Sequence, residues 1–202
     1  MKLMVQTSIL SKRWKYVWTT SPYLIFENDL NWITKEEKEF MLLAKTKKEE
    51  EFMLLVNNVF FYRDRSVSIE KFKLVSTRKV EVDVNFLEIW LGKAIELNKA
   101  QEIHLNLSVN QKFELSDNLF DSELKVFKLA THLINLVRVP YSMCLSIKIT
   151  VLDLRNVTFP DGGLDKALTI SSPVLEDLKL CNIDYEHLNV LNILTPLLKR
   201  FE

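Results

Sequence analysis

The chain has 202 residues, 48% of them apolar and 27% charged, the composition of an ordinary globular protein with one large domain or a small module joined to a larger one. Its 27 Lys plus Arg balance 27 Asp plus Glu, so no overall field draws it to nucleic acid or anionic lipid, and any such binding needs a local patch. Three glycines, of which only Gly162 and Gly163 are adjacent, exclude the glycine-rich phosphate loops of nucleotide enzymes, and Cys144 and Cys181 form no zinc ligand set with the histidines at 104, 132 and 187.

Met1 to Ser8 lack the apolar core and small-residue cleavage site of a secretion signal, and no apolar run approaches the ~20 residues that span a bilayer. A soluble intracellular protein is expected, with both cysteines as reduced core thiols. Leu10, Trp14 and Trp18 stand four residues apart on one helical face, flanked by Lys12, Arg13 and Lys15. That face either packs against the rest of the chain or meets a partner; four residues from Lys12 to Lys15 do not make a nucleic-acid surface.

Between residues 35 and 55 the sequence repeats itself, KEEKEFMLL and then KKEEEFMLL at a shift of 12. Such a shift turns a helix by about 120°, so both FMLL groups cannot face one narrow core stripe of a straight helix. The second copy continues through Val56, Val59, Phe60 and Tyr62 and is expected to pack. The first is read as a helical extension or insertion with a solvated charged face.

From residue 69 onward an L-x-x-L-x-L frame recurs: Ile69-Phe72-Leu74, Ala100-Ile103-Leu105, Leu124-Phe127-Leu129, Ile149-Leu152-Leu154, Leu175-Leu178-Leu180 and a truncated Leu198-Phe201. Its middle positions, 72, 103, 127, 152, 178 and 201, are separated by 31, 24, 25, 26 and 23 residues, and the last four spacings fall in the range of leucine-rich repeats. Each x-L-x-L is a short strand with alternate side chains inward, returned by a helix or turn to a parallel neighbour. Val84 to Leu97 reads as an amphipathic return helix, and Tyr185 to Leu194 as a second, stopped by Pro196. The fold class is therefore α/β, a leucine-rich-repeat solenoid with a curved parallel sheet and helices or turns on its convex side.

Two stretches carry a resemblance. Thr7-Ser8-Ile9-Leu10-Ser11-Lys12-Arg13-Trp14-Lys15-Tyr16-Val17-Trp18, followed by Ser21-Pro22-Tyr23-Leu24-Ile25-Phe26, resembles the C-terminal half of a plant F-box and its exit into a repeat region. Val151-Leu152-Asp153-Leu154-Arg155-Asn156-Val157 and Ser172-Pro173-Val174-Leu175-Glu176-Asp177-Leu178-Lys179-Leu180 resemble the plant F-box/LRR pattern often seen with an FBD region. The resemblance divides the chain into a partial F-box over 1–26, a helical linker with an internal duplication over 27–63, and leucine-rich repeats over 64–202, incomplete at the C-terminus. The uncapped last repeat is expected to leave an apolar edge with some tendency to associate.

The resemblance implies a substrate-recruiting subunit of a Skp1-cullin-F-box ubiquitin ligase in the nucleus or cytoplasm. It has no catalytic residues and no cofactor, and it binds a Skp1-like adaptor through Leu10, Trp14 and Trp18 and an unidentified protein substrate through its repeats. The family's L-P-x-x-L helix is not in this sequence, so the alternative is a degenerate or fragmentary repeat module that binds no adaptor; a third reading is a chain whose true start lies upstream. On the concave face the outward positions include Lys73, His104, Lys128, Asp153, Arg155 and Lys179, a mixture of signs suited to a protein partner rather than a phosphate polymer. Pairs such as Lys128 with Asp153 and Asp153 with Lys179 are expected across strands, each worth at most ~1 kcal/mol. His104 between Glu102 and Asn106 has no Ser or Cys nucleophile placed to meet it, so catalysis is not expected.

Overall fold

The recurring apolar frame builds one parallel sheet. The computed structural model describes residues 17–28, 41–77, 81–162, 164–185 and 187–202. Within them, numbering strands in chain order, the main sheet is formed by β1 (Tyr23–Asn28), β2 (Lys71–Ser76), β3 (Glu102–Leu107), β5 (Val126–Thr131), β7 (Val151–Arg155), β9 (Asp177–Cys181) and β11 (Arg200–Phe201), side by side in that order. The middle residues of the frame stack in register: Phe72 lies beside Ile103, then come Phe127, Leu152, Leu178 and Phe201.

A forked hydrogen bond sets this register at strand entrances. The Pro22 carbonyl accepts from the amides of Glu70 and Lys71, and the same fork recurs at Gln101, Lys125, Thr150 and Glu176, each taking two successive amides of the next strand. A slip of one residue would break each fork and turn every inward side chain to solvent. The inward rows are sealed: Phe72, Ile103, Phe127, Leu152 and Leu178 are buried, with Leu74, Leu105, Leu129 and Leu154 beside them. Their aromatic members meet edge to face, Phe72 with Phe26 at 6.2 Å and with Phe60 at 5.6 Å, and Phe127 with Phe120 at 5.2 Å between ring centres.

The back of the sheet changes character along the chain. Helix α1 (Met41–Tyr62) buries Phe52, Val56, Val59 and Phe60 as expected of the second FMLL copy and its continuation, whereas Leu54 and Tyr62 of the same run are exposed because they fall off the buried face. Helix α2 (Val84–Gly92) begins at Asp83, whose carboxylate accepts from the Asn85 amide at 2.8 Å, and continues as a wider π turn over Lys93–Leu97. It buries Val84, Leu87, Trp90 and Leu91, and the Trp90 indole donates to Asn57 Oδ1 of α1 at 2.8 Å. Beyond α2 the returns shrink to the single turn α3 (Asn118–Asp121) and the 3-10 segment Tyr141–Leu145, and then become strands. Strand β8 (Ala167–Ser171) pairs in parallel with β10 (Val190–Leu194), and β4 (Phe113–Glu114) with β6 (Val137–Arg138).

Val190–Leu194, read as the end of a return helix, is thus a strand, and the reason is length. A helix advances 1.5 Å per residue and a strand about 3.3 Å. The 31-residue interval from Phe72 to Ile103 can recross the domain helically, whereas the 23-residue interval from Leu178 to Phe201 recrosses it through the strand Val190–Leu194. Strand β1 is a second difference: the segment read as the exit from the N-terminal motif also supplies a strand of the sheet, with Leu24 beside Phe72 and Phe26 beside Leu74.

Two polar devices tie the layers together. Arg63, just past the end of α1, is only 4% exposed, and its guanidinium donates to Asn98 Oδ1 at 3.0 Å, to the Val67 and Ser68 carbonyls at 3.0 and 3.2 Å, and to the Ser21 carbonyl. One side chain therefore fastens the entrances of β1 and β2 and the end of the π turn. At the far ends of the strands runs an amide and hydroxyl chain. Thr131 Oγ1 donates to the Asn156 carbonyl at 2.7 Å, the Asn156 side-chain amide donates to the Thr131 carbonyl, and that of Asn182 donates to Asn156 Oδ1 at 2.7 Å. Asn156 and Asn182 both have left-handed backbone, φ 57° and 55°, which Asn tolerates better than most residues.

Candidate functional site

The parallel register decides which outward side chains are neighbours. Lys73, His104, Lys128, Asp153 and Lys179 form one unbroken row across β2, β3, β5, β7 and β9, and Arg155 lies two residues beyond Asp153 on β7. Lys73, His104, Lys128, Asp153 and Arg155 come together around a groove of about 230 Å³ lined also by Asn106 and Ala130, while Lys179 continues the row outside it.

Most charges on the face are matched by a neighbour. Lys71 reaches Glu102 Oε2 at 3.3 Å and Lys73 reaches Glu27 Oε1 at 2.5 Å across adjacent strands. Arg155 grips Asp153 with two bonds of 2.9 Å. Arg200 holds Asp177 at 2.5 Å and Lys179 pairs with Glu202. The expected pairing of Asp153 with Lys128 and Lys179 is therefore replaced: the carboxylate is taken by Arg155, whose planar fork matches both oxygens from the same strand. Lys128 has no ion-pair partner within reach among the described residues.

His104 sits beside that lysine in the row. Burial, then the positive charges of Lys71 and Lys128, hold its pKa down to about 4 from the ordinary 6.5, with Glu102 pulling weakly the other way. At neutral pH the ring is uncharged. Glu102 Oε2 stands 3.5 Å from Nε2, beyond a good hydrogen bond, and Nε2 is buried without a hydrogen-bond partner among the described residues. A ring with so low a pKa is poorly matched to general-base work near pH 7.

The remaining candidates separate. Leu10 and Trp14 lie outside the described residues, as does the first KEE run up to Phe40, and Trp18 is described only as part of the 3-10 turn Val17–Thr20. Cys144 is a core thiol whose pKa burial pushes up to about 12. Cys181 is exposed, a correction to its expected burial: it ends β9 at an outward position beside Arg155, where alternation turns the side chain away from the core. His132 joins Ser76 O through Nε2 at 3.1 Å, bridging the ends of β5 and β2. Arg63 and the Asn156 chain were not singled out from the sequence. Asn after an x-L-x-L strand is a signal that points to the latter.

Sequence comparisons agree with this geometry. The chain is 28% identical to a putative F-box/LRR-repeat protein of Arabidopsis thaliana over 98% of its own length and 44% of the relative's. It is 27% identical to an FBD-associated F-box protein over 95% of the chain and 42% of the relative, and 24% identical to an F-box/LRR-repeat protein over 97% and 50%, both from the same plant. Its relatives are plant F-box/LRR-repeat proteins. The chain spans about half or less of their length. No protein-family model and no solved structure matches it. Among the described residues no helix is long and apolar enough to cross a membrane, and no cluster of three or more His, Cys, Asp or Glu is arranged to hold a metal.

Proposed function

We propose that the chain recruits a protein substrate to a Skp1-cullin-F-box ubiquitin ligase, holding it on the outward face of the parallel sheet, in the nucleus or cytoplasm. The observation that carries this reading is the single row Lys73, His104, Lys128, Asp153 and Lys179, presented by five successive strands on a repeat scaffold whose relatives join an F-box to such repeats by name. Repeat proteins commonly use an extended sheet face of this kind to grip partners. The role is that of a receptor rather than a catalyst: the ligase supplies the chemistry, and this chain supplies position. Leu10, Trp14 and Trp18 are assigned to the adaptor.

Co-purification with a Skp1-type adaptor tests the assignment. The 202-residue chain is expected to retain the adaptor, and a Trp14→Ala, Trp18→Ala double variant to lose it while the melting temperature of the repeat domain stays unchanged. Equal recovery of adaptor by both chains, or by neither, contradicts the role given to these residues.

A further inference from the structure

The outward groove has an uneven charge balance that points to the chemistry of its occupant. Its charged lining is Lys73, Lys128, Asp153 and Arg155; Lys73 is matched by Glu27, and Arg155 by Asp153. The tally leaves one positive charge in excess, and it resides on Lys128, which has no ion-pair partner among the described residues. Beside it the buried His104 Nε2 also lacks a partner, and the Asn106 side chain lines the same 230 Å³ groove.

We propose that this groove binds one acidic side chain, an Asp or Glu carboxylate carried by an extended segment of the partner protein, with Lys128 as its counter-ion and His104 Nε2 as a hydrogen-bonding neighbour. The inference rests on the reading of this face as the partner-holding surface and specifies what that surface selects. A single carboxylate cancels the excess charge. A phosphate dianion would leave a net negative charge in a groove already lined by the Asp153 carboxylate, so a monoanion fits better. A basic segment would meet Lys128 without a counter-charge, and like-charge juxtaposition of that kind suppresses wrong partners. The groove is too small for a folded domain but takes one side chain, so the rest of the segment lies across the strands over outward positions such as Ala130.

The test is selection of a random dodecapeptide display library against the full chain, its Lys128→Glu form and its Lys128→Gln form, each checked by circular dichroism for an unchanged melt. The native chain is expected to enrich peptides with Asp or Glu at one fixed position. Resynthesised with Gln, the best of them should bind about tenfold more weakly, and with phosphoserine no better than with Gln. Lys128→Gln should lose the acidic preference and Lys128→Glu should turn it to Lys or Arg. His104→Gln, which keeps a polar side chain, should weaken the same peptide without changing the sign of the preference. Enrichment without an acidic position, a phosphoserine peptide that outbinds its Glu form, no enrichment at all, or unchanged selection by the Lys128 variants overturns the inference. The adaptor experiment is independent of it: a chain that selects acidic peptides but retains no adaptor keeps this inference and loses the ligase reading, and the converse result does the opposite.

Discussion

Removing the Arg63 head group is expected to be the most damaging single polar substitution in the molecule. The guanidinium is almost fully buried and donates to four oxygens, of Asn98, Ser21, Val67 and Ser68, and burial lowers its pKa. Hydrogen bonds from a charged donor contribute about 1.5–3 kcal/mol each, and a buried acceptor left bare costs about 1–3 kcal/mol. Water entering the vacated space recovers part of that, so Arg63→Ala should lose about 3–5 kcal/mol. A domain of this size has on the order of 5–15 kcal/mol in all, so the loss would be plain in urea unfolding. Arg63→Met keeps the apolar stem and removes only the donors, and it should lose nearly as much; Arg63→Lys, which can satisfy two or three of the four acceptors, should lose less. Hydrogen exchange should rise first at Glu70 and Lys71, whose amides are held by Pro22 beside the Ser21 anchor. A loss below about 1 kcal/mol for Arg63→Met would refute the view that these hydrogen bonds, rather than stem packing, fasten the first two strands to the helix.

Other outcomes rest on the same geometry. Phe127→Ala, at a fully buried site edge to face with Phe120, should destabilise by about 3–5 kcal/mol in the same assay. Asn156→Ala loses both a tolerant left-handed residue and the links to Thr131 and Asn182, and it should cost about 2 kcal/mol. The depressed pKa of His104 has a definite sign: its contribution is complete above pH 6.5 and is lost as the pH falls from 6.5 toward 4, where the unfolded chain binds a proton that the folded chain does not. The difference in unfolding free energy between the native chain and His104→Gln should shrink over that window by at most about 3 kcal/mol, and by less given partial solvent access. Alkylation with iodoacetamide at pH 8 should label Cys181 rapidly and leave Cys144 unmodified until unfolding, read by peptide mass spectrometry, because one thiol is exposed and the other buried.

The strands and their register were legible because alternate burial writes a period of two directly into the sequence, and the frame repeats at nearly constant spacing. Strand β1 escaped the frame because Ser21 stands where the first apolar residue belongs, and 48 residues separate Leu24 from its partner Phe72. The return segments were harder. Leu188, Leu191 and Leu194 satisfy a helical stripe, yet Val190 to Leu194 also reads as a strand, and its pairing with Ala167–Ser171 of the preceding return decides between them. The row of outward candidates came from the register alone, whereas which charges pair did not. Asp153 has Lys128 and Lys179 across the strands and Arg155 on its own, and side-chain geometry rather than spacing selects Arg155. Arg63 was invisible for a related reason: a lone arginine after an apolar helix looks like a solvated terminus until the backbone carbonyls that surround it are placed.

Everything argued for the outward face depends on one parallel register, and paired cysteines measure it directly. Neighbouring positions of adjacent strands bring Cα atoms within disulfide range, about 4.4–6.8 Å, while positions two strands apart lie about 10 Å away. In a Cys181→Ser background, Lys128→Cys with Asp153→Cys is expected to close a disulfide under mild oxidation, and Lys128→Cys with Lys179→Cys is not. Closure of Lys128→Cys with Arg155→Cys in preference to the Asp153 pair would mean a register shifted by two residues. That result would contradict the row on which the partner site is built.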